Sequence, residues 1–202
     1  MKNKWDKRYG QEEYIYGEEP NVYFKEKLKE IPIGKILLPA EGEGRNAVYA
    51  AEVGWQVDAF DASKEGKKKA ERLAAKKQVT INYERSRMEE IAFPKESFDV
   101  IALVYAHFPN DRRSLHQKLS AYLKPGGYLI LEAFNKEHVK NQQVNPHAGG
   151  PKKLDLLYDL EELKGDFDNF EFLEAEDVKV ELQEGKNHVG EADVVRIFGI
   201  KK

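Results

Sequence analysis

The segment from Ile36 to Ser63 constrains the fold and function of this chain more than any other stretch of its sequence. It opens with an apolar run that stops at a turn containing Gly42 and Gly44, and a helix-like stretch follows. A second apolar run then ends in an acid, Asp61, 17 residues after Gly44. A strand–turn–helix–strand unit of this kind brings backbone close to a ligand and points a carboxylate at ribose hydroxyls. The segment therefore predicts a site for an adenosine-containing ligand.

Length and composition fit an ordinary globular protein. The chain has 202 residues, 41% of them hydrophobic and 34% charged, which is enough for one domain with a large core. The net charge of −3 argues against nucleic-acid binding, which usually goes with a basic excess. Cysteine does not occur, which excludes disulfides, thiolate zinc sites and a cysteine nucleophile and is typical of a reducing cytosol. With neither a signal peptide nor an apolar run near the ~18 residues of a membrane span, we expect a cytoplasmic protein without a membrane partner.

Apolar periodicity divides the chain into alternating strands and helices. Strands are predicted at 35–39, 56–60, 79–81, 98–105 and 128–134, and helices at about 21–30, 44–53, 63–77 and 111–123. The final stretches, 170–183 and 189–201, alternate apolar and polar residues around a turn and predict an antiparallel hairpin. Residues 135–158 are expected to form a long loop, and Asp159 with Glu162 to begin a short helix. The pattern predicts an α/β fold with a mostly parallel sheet and an antiparallel edge.

In this order, the features resemble the class I S-adenosylmethionine (SAM) methyltransferases, which have a glycine-rich first turn, an acid ending strand two, a Pro-Gly-Gly turn before strand five and a final hairpin. Here that turn is Pro125–Gly127. The segments 5–24 and Gly149–Pro151 are similar to a small-molecule branch near the tellurite-resistance and thiopurine-type methyltransferases. The resemblance covers nearly the whole chain. It implies a Rossmann-like seven-stranded sheet with helices on both faces, in a single domain over 1–202.

The same resemblance implies S-adenosyl-L-methionine as cofactor and a small-molecule acceptor, such as a thiol or an oxyanion like tellurite. Residues 1–30 would form a lid-like segment, and residues 135–158 would form a loop on the substrate side of the site. The protein is expected to be a monomer or a homodimer. The positions that match the family's cofactor contacts are Tyr16, Gly17, Ala40, Glu41, Gly42, Asn46, Asp61, Ala62, Arg87, Met88 and Tyr105.

The chain departs from the family pattern near two cofactor positions. The family usually has an acid where this chain has Leu38 and a glycine where it has Ala40, so Glu41 is the candidate for the missing carboxylate. An acid also usually precedes the residue that backs the adenine ring, and here Arg87 precedes Met88.

Two histidines are candidates for catalysis. His107 follows the fourth strand, where open α/β sheets bind ligands, and His188 lies in the hairpin turn. Either could serve as general base for a hydroxyl or amine acceptor. A soft anion needs no base. Cationic or hydrogen-bond-donating groups would bind it, and the candidates are His188, Arg45 and Arg112. His147 lies in the long loop and, like His188, could be either a substrate-side histidine or a solvent-exposed turn histidine. His116 and His138 are expected at the surface.

Alternative functions remain open at this level. Residues Gly42–Ala47 also match GxGxxA, the nicotinamide-dinucleotide fingerprint, which allows an NAD-linked oxidoreductase. The departures at Leu38, Ala40 and Arg87 allow a non-catalytic SAM-binding protein. The lysines of 67–77 are expected on a solvated helix face. The sequence contains no HExxH motif and no histidine–carboxylate pair at metal-ligand spacing on a predicted helix, so no metal site is predicted.

Overall fold

The computed structural model describes residues 4–108 and 111–202, so the first three residues of the expected lid-like segment lie outside it. The helices are α1 (Lys4–Tyr9), α2 (Val22–Leu28), α3 (Arg45–Glu52), α4 (Lys64–Lys76), α5 (Arg112–Tyr122), α6 (Val139–Val144) and α7 (Leu160–Asp166). The strands are β1 (Lys35–Pro39), β2 (Gln56–Asp61), β3 (Asn82–Arg85), β4 (Phe98–Val104), β5 (Leu123–Phe134), β6 (Phe170–Glu184) and β7 (His188–Lys201). Two short 3-10 helices span Lys136–His138 and Leu154–Leu156.

The strands form one seven-stranded sheet in the order β3-β2-β1-β4-β5-β7-β6. Neighbouring strands from β3 to β5 run parallel, whereas β7 is antiparallel to both β5 and β6. The predicted Rossmann-like fold, mostly parallel with a C-terminal antiparallel hairpin, is therefore confirmed. Because the chain order reverses at β1 and β4, a crevice opens at the C-terminal ends of these two strands.

Successive side chains of the central strands enter two different cores, as the two-residue period of a strand requires. In β1, Leu37 packs on the side that holds Leu115 of α5. Its neighbour Ile36 packs on the other side, with Phe24 of α2 and Ala47 of α3. Both faces of the sheet are thus covered by helices, which explains why these strands are continuously apolar.

The helix starts follow the capping signals in the sequence. The side chains of Asn21, Ser63 and Asp159 each accept backbone N–H groups from the first turn of the helix that follows. Asp111 holds the N-cap position of α5 as predicted, but its side chain accepts no capping hydrogen bond, and its backbone is left-handed, with φ of 54°.

Gly44 is the point at which α3 begins and approaches α4. Its backbone is left-handed, with φ of 89°. A Cβ added here would come within 2.4 Å of the Ala70 Cβ. The glycine is therefore required both by its conformation and by the close contact between the two helices.

Two strand boundaries differ from the prediction. The third strand is Asn82–Arg85 rather than 79–81. The residues up to Val79 are still hydrogen-bonded to the last turn of α4, where the Val79 N–H donates to the Ala74 carbonyl. β5 already begins at Leu123, ahead of the Pro-Gly-Gly turn, where it pairs with the start of β4.

The segment 135–158 is more ordered than the predicted loop, since it contains α6 and both 3-10 helices. His138 and His116, expected at the surface, are fully buried. His138 stacks on Phe134 at 4.1 Å between ring centroids. The Nδ1 atom of His116 lies 2.9 Å from an Asp166 carboxylate oxygen. A carboxylate partner and aromatic stacking offset the cost of burying these rings.

Candidate active site

A cavity of about 380 Å³ lies at the C-terminal ends of β1, β2 and β4. The N-terminal segment, residues 150–152 and the start of β7 complete its walls. Its size falls within the range of small-molecule sites. Of the residues singled out in the sequence, it is lined by Tyr16, Gly17, Ala40, Glu41, Arg45, Asn46, Asp61, Tyr105, His107 and His188.

Four of the positions matched to cofactor contacts do not line this cavity: Gly42, Ala62, Arg87 and Met88. Gly42 remains adjacent, because its N–H donates to the Asp61 carboxylate at 3.2 Å. Arg87 is exposed, and Met88 is buried in the core on the α5 side of the sheet.

Two cavity residues that follow strands have left-handed backbones without being glycine. Ala40, after β1, has φ of 53°, and Tyr105, after β4, has φ of 52°. Such conformations are unfavourable for side chains with a Cβ, and they cluster at functional sites. The departure at Ala40 thus keeps the backbone shape that a glycine would adopt more easily.

Asp61 ends β2 with its carboxylate on the cavity wall. One oxygen accepts the Ser63 N–H at 2.7 Å and the other accepts the Gly42 N–H at 3.2 Å. Burial raises the pKa of Asp61, and these two backbone donors oppose that effect. A carboxylate offers about four lone-pair sites, so roughly one remains on each oxygen for a ligand.

Glu41 occupies the turn between β1 and α3. Its Oε1 atom accepts the backbone N–H groups of Asn46 at 2.8 Å and Ala47 at 2.9 Å, at the positive end of the helix. Burial is the largest influence and raises the pKa of Glu41 to about 7, although these bonds and the Arg45 charge act against it. Glu41 is thus poised between its charged and neutral forms near neutral pH.

His188 forms part of a buried ionic cluster. Its Nδ1 atom lies 3.0 Å from Oε2 of Glu184, and the same oxygen accepts a hydrogen bond from Arg45 at 2.8 Å. Asn21 donates to the other Glu184 oxygen at 3.1 Å. Burial alone would raise the pKa of Glu184, but the Arg45 charge and the hydrogen bonds lower it to about 2. The carboxylate is therefore ionised, and both of its oxygens have hydrogen-bond partners.

Aromatic rings surround His188 on the cavity side. Tyr16 and Tyr105 have ring centroids 4.4 and 4.5 Å from that of His188. Phe134 lies at 5.1 Å from His188 and stacks on Tyr105 at 4.6 Å. This wall combines apolar faces with one imidazole edge.

His107 also lines the cavity, but both of its ring nitrogens have partners. Nδ1 lies 2.7 Å from the Leu156 carbonyl, and Nε2 accepts the Phe134 N–H at 3.4 Å. Burial lowers the pKa of His107 to about 4, despite the opposing carbonyl hydrogen bond. This geometry gives His107 little capacity to take up a proton.

The N-terminal segment is fixed over the site by buried polar contacts. Glu43, in the glycine turn, accepts the Ile15 N–H at 2.9 Å and pairs with Lys69 of α4 at 2.7 Å. The Ile15 carbonyl in turn accepts the Lys186 N–H of the hairpin turn at 2.8 Å. The segment therefore connects the glycine turn to the hairpin.

Sequence reasoning missed several residues of the site. The cavity is also lined by Trp5, Arg8, Tyr9, Glu43, Phe134 and Lys152. The aromatic content of the N-terminus was the available signal for Trp5 and Tyr9. Their rings stack at 5.4 Å, and Asp6 between them accepts a hydrogen bond from Ser63 at 2.6 Å, beside Asp61.

The described ranges, 4–108 and 111–202, contain no helix long and apolar enough to cross a membrane. They also contain no group of three or more His, Cys, Asp or Glu side chains that could hold a metal ion.

Comparisons with known proteins agree with this architecture. Residues 36–127, from β1 to the Pro-Gly-Gly turn, match the family model described as a methyltransferase domain. No curated protein matches the sequence significantly.

Solved structures of low sequence identity share the fold. One, described as "Conversion of a Disulfide Bond into a Thioacetal Group during Echinomycin Biosynthesis", is 15% identical with a TM-score of 0.75, over 98% of this chain and 91% of that one. TehB from Haemophilus influenzae is 19% identical with a TM-score of 0.72, over 98% and 66% of the two chains. A SAM-dependent methyltransferase from Aquifex aeolicus is 19% identical with a TM-score of 0.64, over 89% of each chain. Residues 36–127 are thus similar to methyltransferase domains, and the chain shares its fold with SAM-dependent methyltransferases of known structure.

Proposed function

We propose that the protein transfers the methyl group of SAM to a small-molecule acceptor inside the cavity of about 380 Å³. The observation that carries this proposal is the Asp61 carboxylate on the cavity wall, oriented by two backbone N–H groups. One free lone pair on each oxygen suits the two hydroxyls of a ribose. The stacked rings of Trp5 and Tyr9 line the same cavity and offer a flat surface to a purine.

The remaining residues of the site fit the other parts of the cofactor. Glu41 supplies a second carboxylate at the start of α3, suited to the ammonium group of SAM. When bound, SAM supplies a methyl group on a sulfonium, which a nucleophile attacks with the thioether as leaving group. The rings of Tyr16 and Tyr105 present faces that attract a cation and exclude water from its surroundings. Gly42, Ala62, Arg87 and Met88 remain candidates for backbone or peripheral contacts.

The acceptor is proposed to lie beyond the aromatic wall, next to Phe134, His107 and residues 150–152. Among the described residues, Lys152 and the histidines His107 and His188 line this part of the cavity. Thiols and oxyanions such as tellurite are both candidates on this basis. We further propose that 1–202 acts as one catalytic domain, as a cytoplasmic monomer or homodimer.

Calorimetry with SAM, S-adenosylhomocysteine and NAD tests the proposed cofactor site. We expect the two SAM-type ligands to bind and NAD not to bind. The Asp61→Asn variant should lose about 1.5–3 kcal/mol of binding free energy, because a charged acceptor of hydroxyl hydrogen bonds is removed. Glu84→Gln, an exposed change on the neighbouring strand β3, should bind as the wild type does.

Two results would contradict the proposed site. Equal or tighter binding of NAD would favour the dinucleotide alternative. Unchanged S-adenosylhomocysteine affinity in a folded Asp61→Asn protein would remove Asp61 from the cofactor site. A protein that binds SAM but methylates none of a panel of thiols, phenols, amines and oxyanions would instead support the non-catalytic alternative.

A further inference from the structure

We propose that Glu184 and His188 form a general-base pair, in which Glu184 orients His188 and His188 Nε2 removes a proton from the methyl acceptor. This inference rests on the proposed function and narrows its substrate class. The acceptor would carry a proton on the attacking atom, as a thiol, hydroxyl or protonated amine does, rather than being a fully ionised oxyanion.

The hairpin itself places the two groups together. Glu184 ends β6 and His188 begins β7, and they are directly paired across the turn 185–187. Their side chains meet through a 3.0 Å contact between His188 Nδ1 and Glu184 Oε2. Because the ionised carboxylate only accepts hydrogen bonds, it requires the proton of a neutral imidazole to be on Nδ1. The Nε2 atom then has a free lone pair.

The Nε2 atom of His188 has no hydrogen-bond partner among the described residues, and the His188 side chain lines the cavity. We infer that Nε2 is the atom that meets the acceptor. Gly149 helps to keep this edge open: its φ is 80°, and a Cβ there would come 2.4 Å from His188 Cδ2 and 3.1 Å from Nε2. The glycine is thus needed for the position of the ring as well as for the turn.

Burial, together with the Arg45 charge, favours the neutral imidazole, which is the form that can accept a proton. Burial lowers the pKa of His188, and the Glu184 hydrogen bond opposes that effect. Arg45 forms an ion pair with the same carboxylate and balances its charge. Glu184 therefore orients the ring without keeping it permanently protonated. The titratable and charged groups facing the ring are Glu184, Arg45, Tyr16, Tyr105, His107 and His138.

The acceptor heteroatom forms a bond to the methyl carbon while the carbon–sulfur bond breaks and leaves its electron pair on sulfur. The acceptor proton moves to His188 Nε2, and the Glu184 carboxylate stabilises the resulting imidazolium through Nδ1–H. Release of that proton to water restores the base. Positioned proton transfer of this type contributes roughly 10²–10⁴-fold to a rate.

The first test uses the free protein. Imidazole nitrogen–proton correlation spectra of ¹⁵N-labelled protein, with His188 assigned from the His188→Gln variant, report its tautomer and titration. We expect the proton on Nδ1 and a midpoint below the usual ~6.5. The Glu184→Gln variant should lose the fixed tautomer. A proton on Nε2, or a midpoint equal to that of an exposed histidine, would overturn the pair whether or not SAM binds.

The second test measures methyl transfer to an alkyl thiol between pH 6.5 and 9.5, with sodium tellurite as an acceptor whose attacking tellurium atom carries no proton. His188→Gln should slow thiol methylation at pH 7 by about 10²–10³-fold. Its rate should recover as the thiol ionises near ~8.5, while the wild type changes less. His147→Gln alters an exposed histidine bonded to the Lys186 carbonyl of the same turn and should leave the rate unchanged.

Cofactor binding separates failure of this inference from failure of the proposed function. S-adenosylhomocysteine affinity should stay within about twofold of the wild type in the His188→Gln and Glu184→Gln variants, since neither change removes an acceptor of the ribose. If the wild type did not bind S-adenosylhomocysteine, the proposed function itself would be contradicted. Normal thiol turnover by His188→Gln at pH 7, with binding intact, would contradict only the general-base pair.

Discussion

Glu41 is the residue at which the departure from the family pattern has the clearest energetic consequence. Its carboxylate satisfies two backbone N–H groups of α3, yet burial raises its pKa to about 7 from 4.5. A carboxyl group with a raised pKa binds protons more tightly in the folded state than in the unfolded one. Its charged form therefore lowers stability as the pH rises from about 4.5 through about 7.

The Glu41→Gln variant should remove this pH dependence. The amide oxygen still accepts the N–H groups of α3, but no buried charge forms. Relative to the variant, the wild type should lose up to about 3 kcal/mol of unfolding free energy between pH 4.5 and pH 8. Because Glu41 is only partly buried and lines the cavity, that figure is an upper limit. Urea unfolding of both proteins at the two pH values measures the difference; parallel curves would contradict the assigned pKa.

Individual site residues were predictable from sequence to the extent that their signals are local. Asp61 and Tyr105 follow apolar strands, and the edge rule for open sheets predicts that they reach the cavity. The pairing of Glu184 with His188 follows from a short hairpin turn. The approach of Arg45 to Glu184 has no local signal, because it depends on how α3 packs beside the hairpin.

At the scale of elements, the N-terminal segment is hydrogen-bonded to a buried ion pair that joins the glycine turn to α4. Lys69 of α4 and Glu43 are each almost fully buried, and Glu43 also accepts the Ile15 N–H. Removing one partner of a buried pair leaves an uncompensated charge, which typically costs about 3–5 kcal/mol. The attachment of this segment is thus sensitive to single changes.

We expect Lys69→Met to destabilise the protein by about 3 kcal/mol. The double variant with Glu43→Gln should recover about 1–3 kcal/mol relative to the sum of the single changes, since no unpaired charge remains. Lys68→Met, on the same helix but in an exposed pair with Glu65, should change stability by less than about 0.5 kcal/mol. Denaturant unfolding of all four variants tests this, and additive effects would show that the pair is not coupled.

Elements were predictable where their apolar period was long. The helix starting after Ser63 and the final hairpin fall close to their predicted bounds. The short helices within 135–158 were missed, because three- to six-residue elements do not complete a recognisable period. Burial of His138 was missed for the same reason, since it lies in one of these turns.

At the scale of the whole molecule, the cavity lies between the strand ends and an N-terminal segment that closes over them. Tyr16 and Gly17 line it from that segment, and Arg45 donates to the Tyr16 carbonyl at 3.3 Å. If the proposed cofactor binds beneath this segment, we expect the segment to open for the cofactor to enter and leave. The segment buries Tyr9 and Ile15 but lies outside the sheet, so its local opening should cost less than global unfolding.

Hydrogen exchange with and without S-adenosylhomocysteine should detect this coupling. The Ile15 and Asn21 amides donate to Glu43 and Asn46, both at 2.9 Å, and exchange only when the segment opens. If the open form does not bind the ligand, a concentration of 100 times its dissociation constant should slow their exchange about 100-fold, equivalent to about 2.7 kcal/mol. The Lys202 amide, bonded to the Asn169 carbonyl at the end of the β6–β7 hairpin far from its turn, serves as the control and should be slowed much less. Tight binding with unchanged exchange at Ile15 and Asn21 would show that the ligand enters without movement of this segment, and that its closure over the cavity is independent of the cofactor.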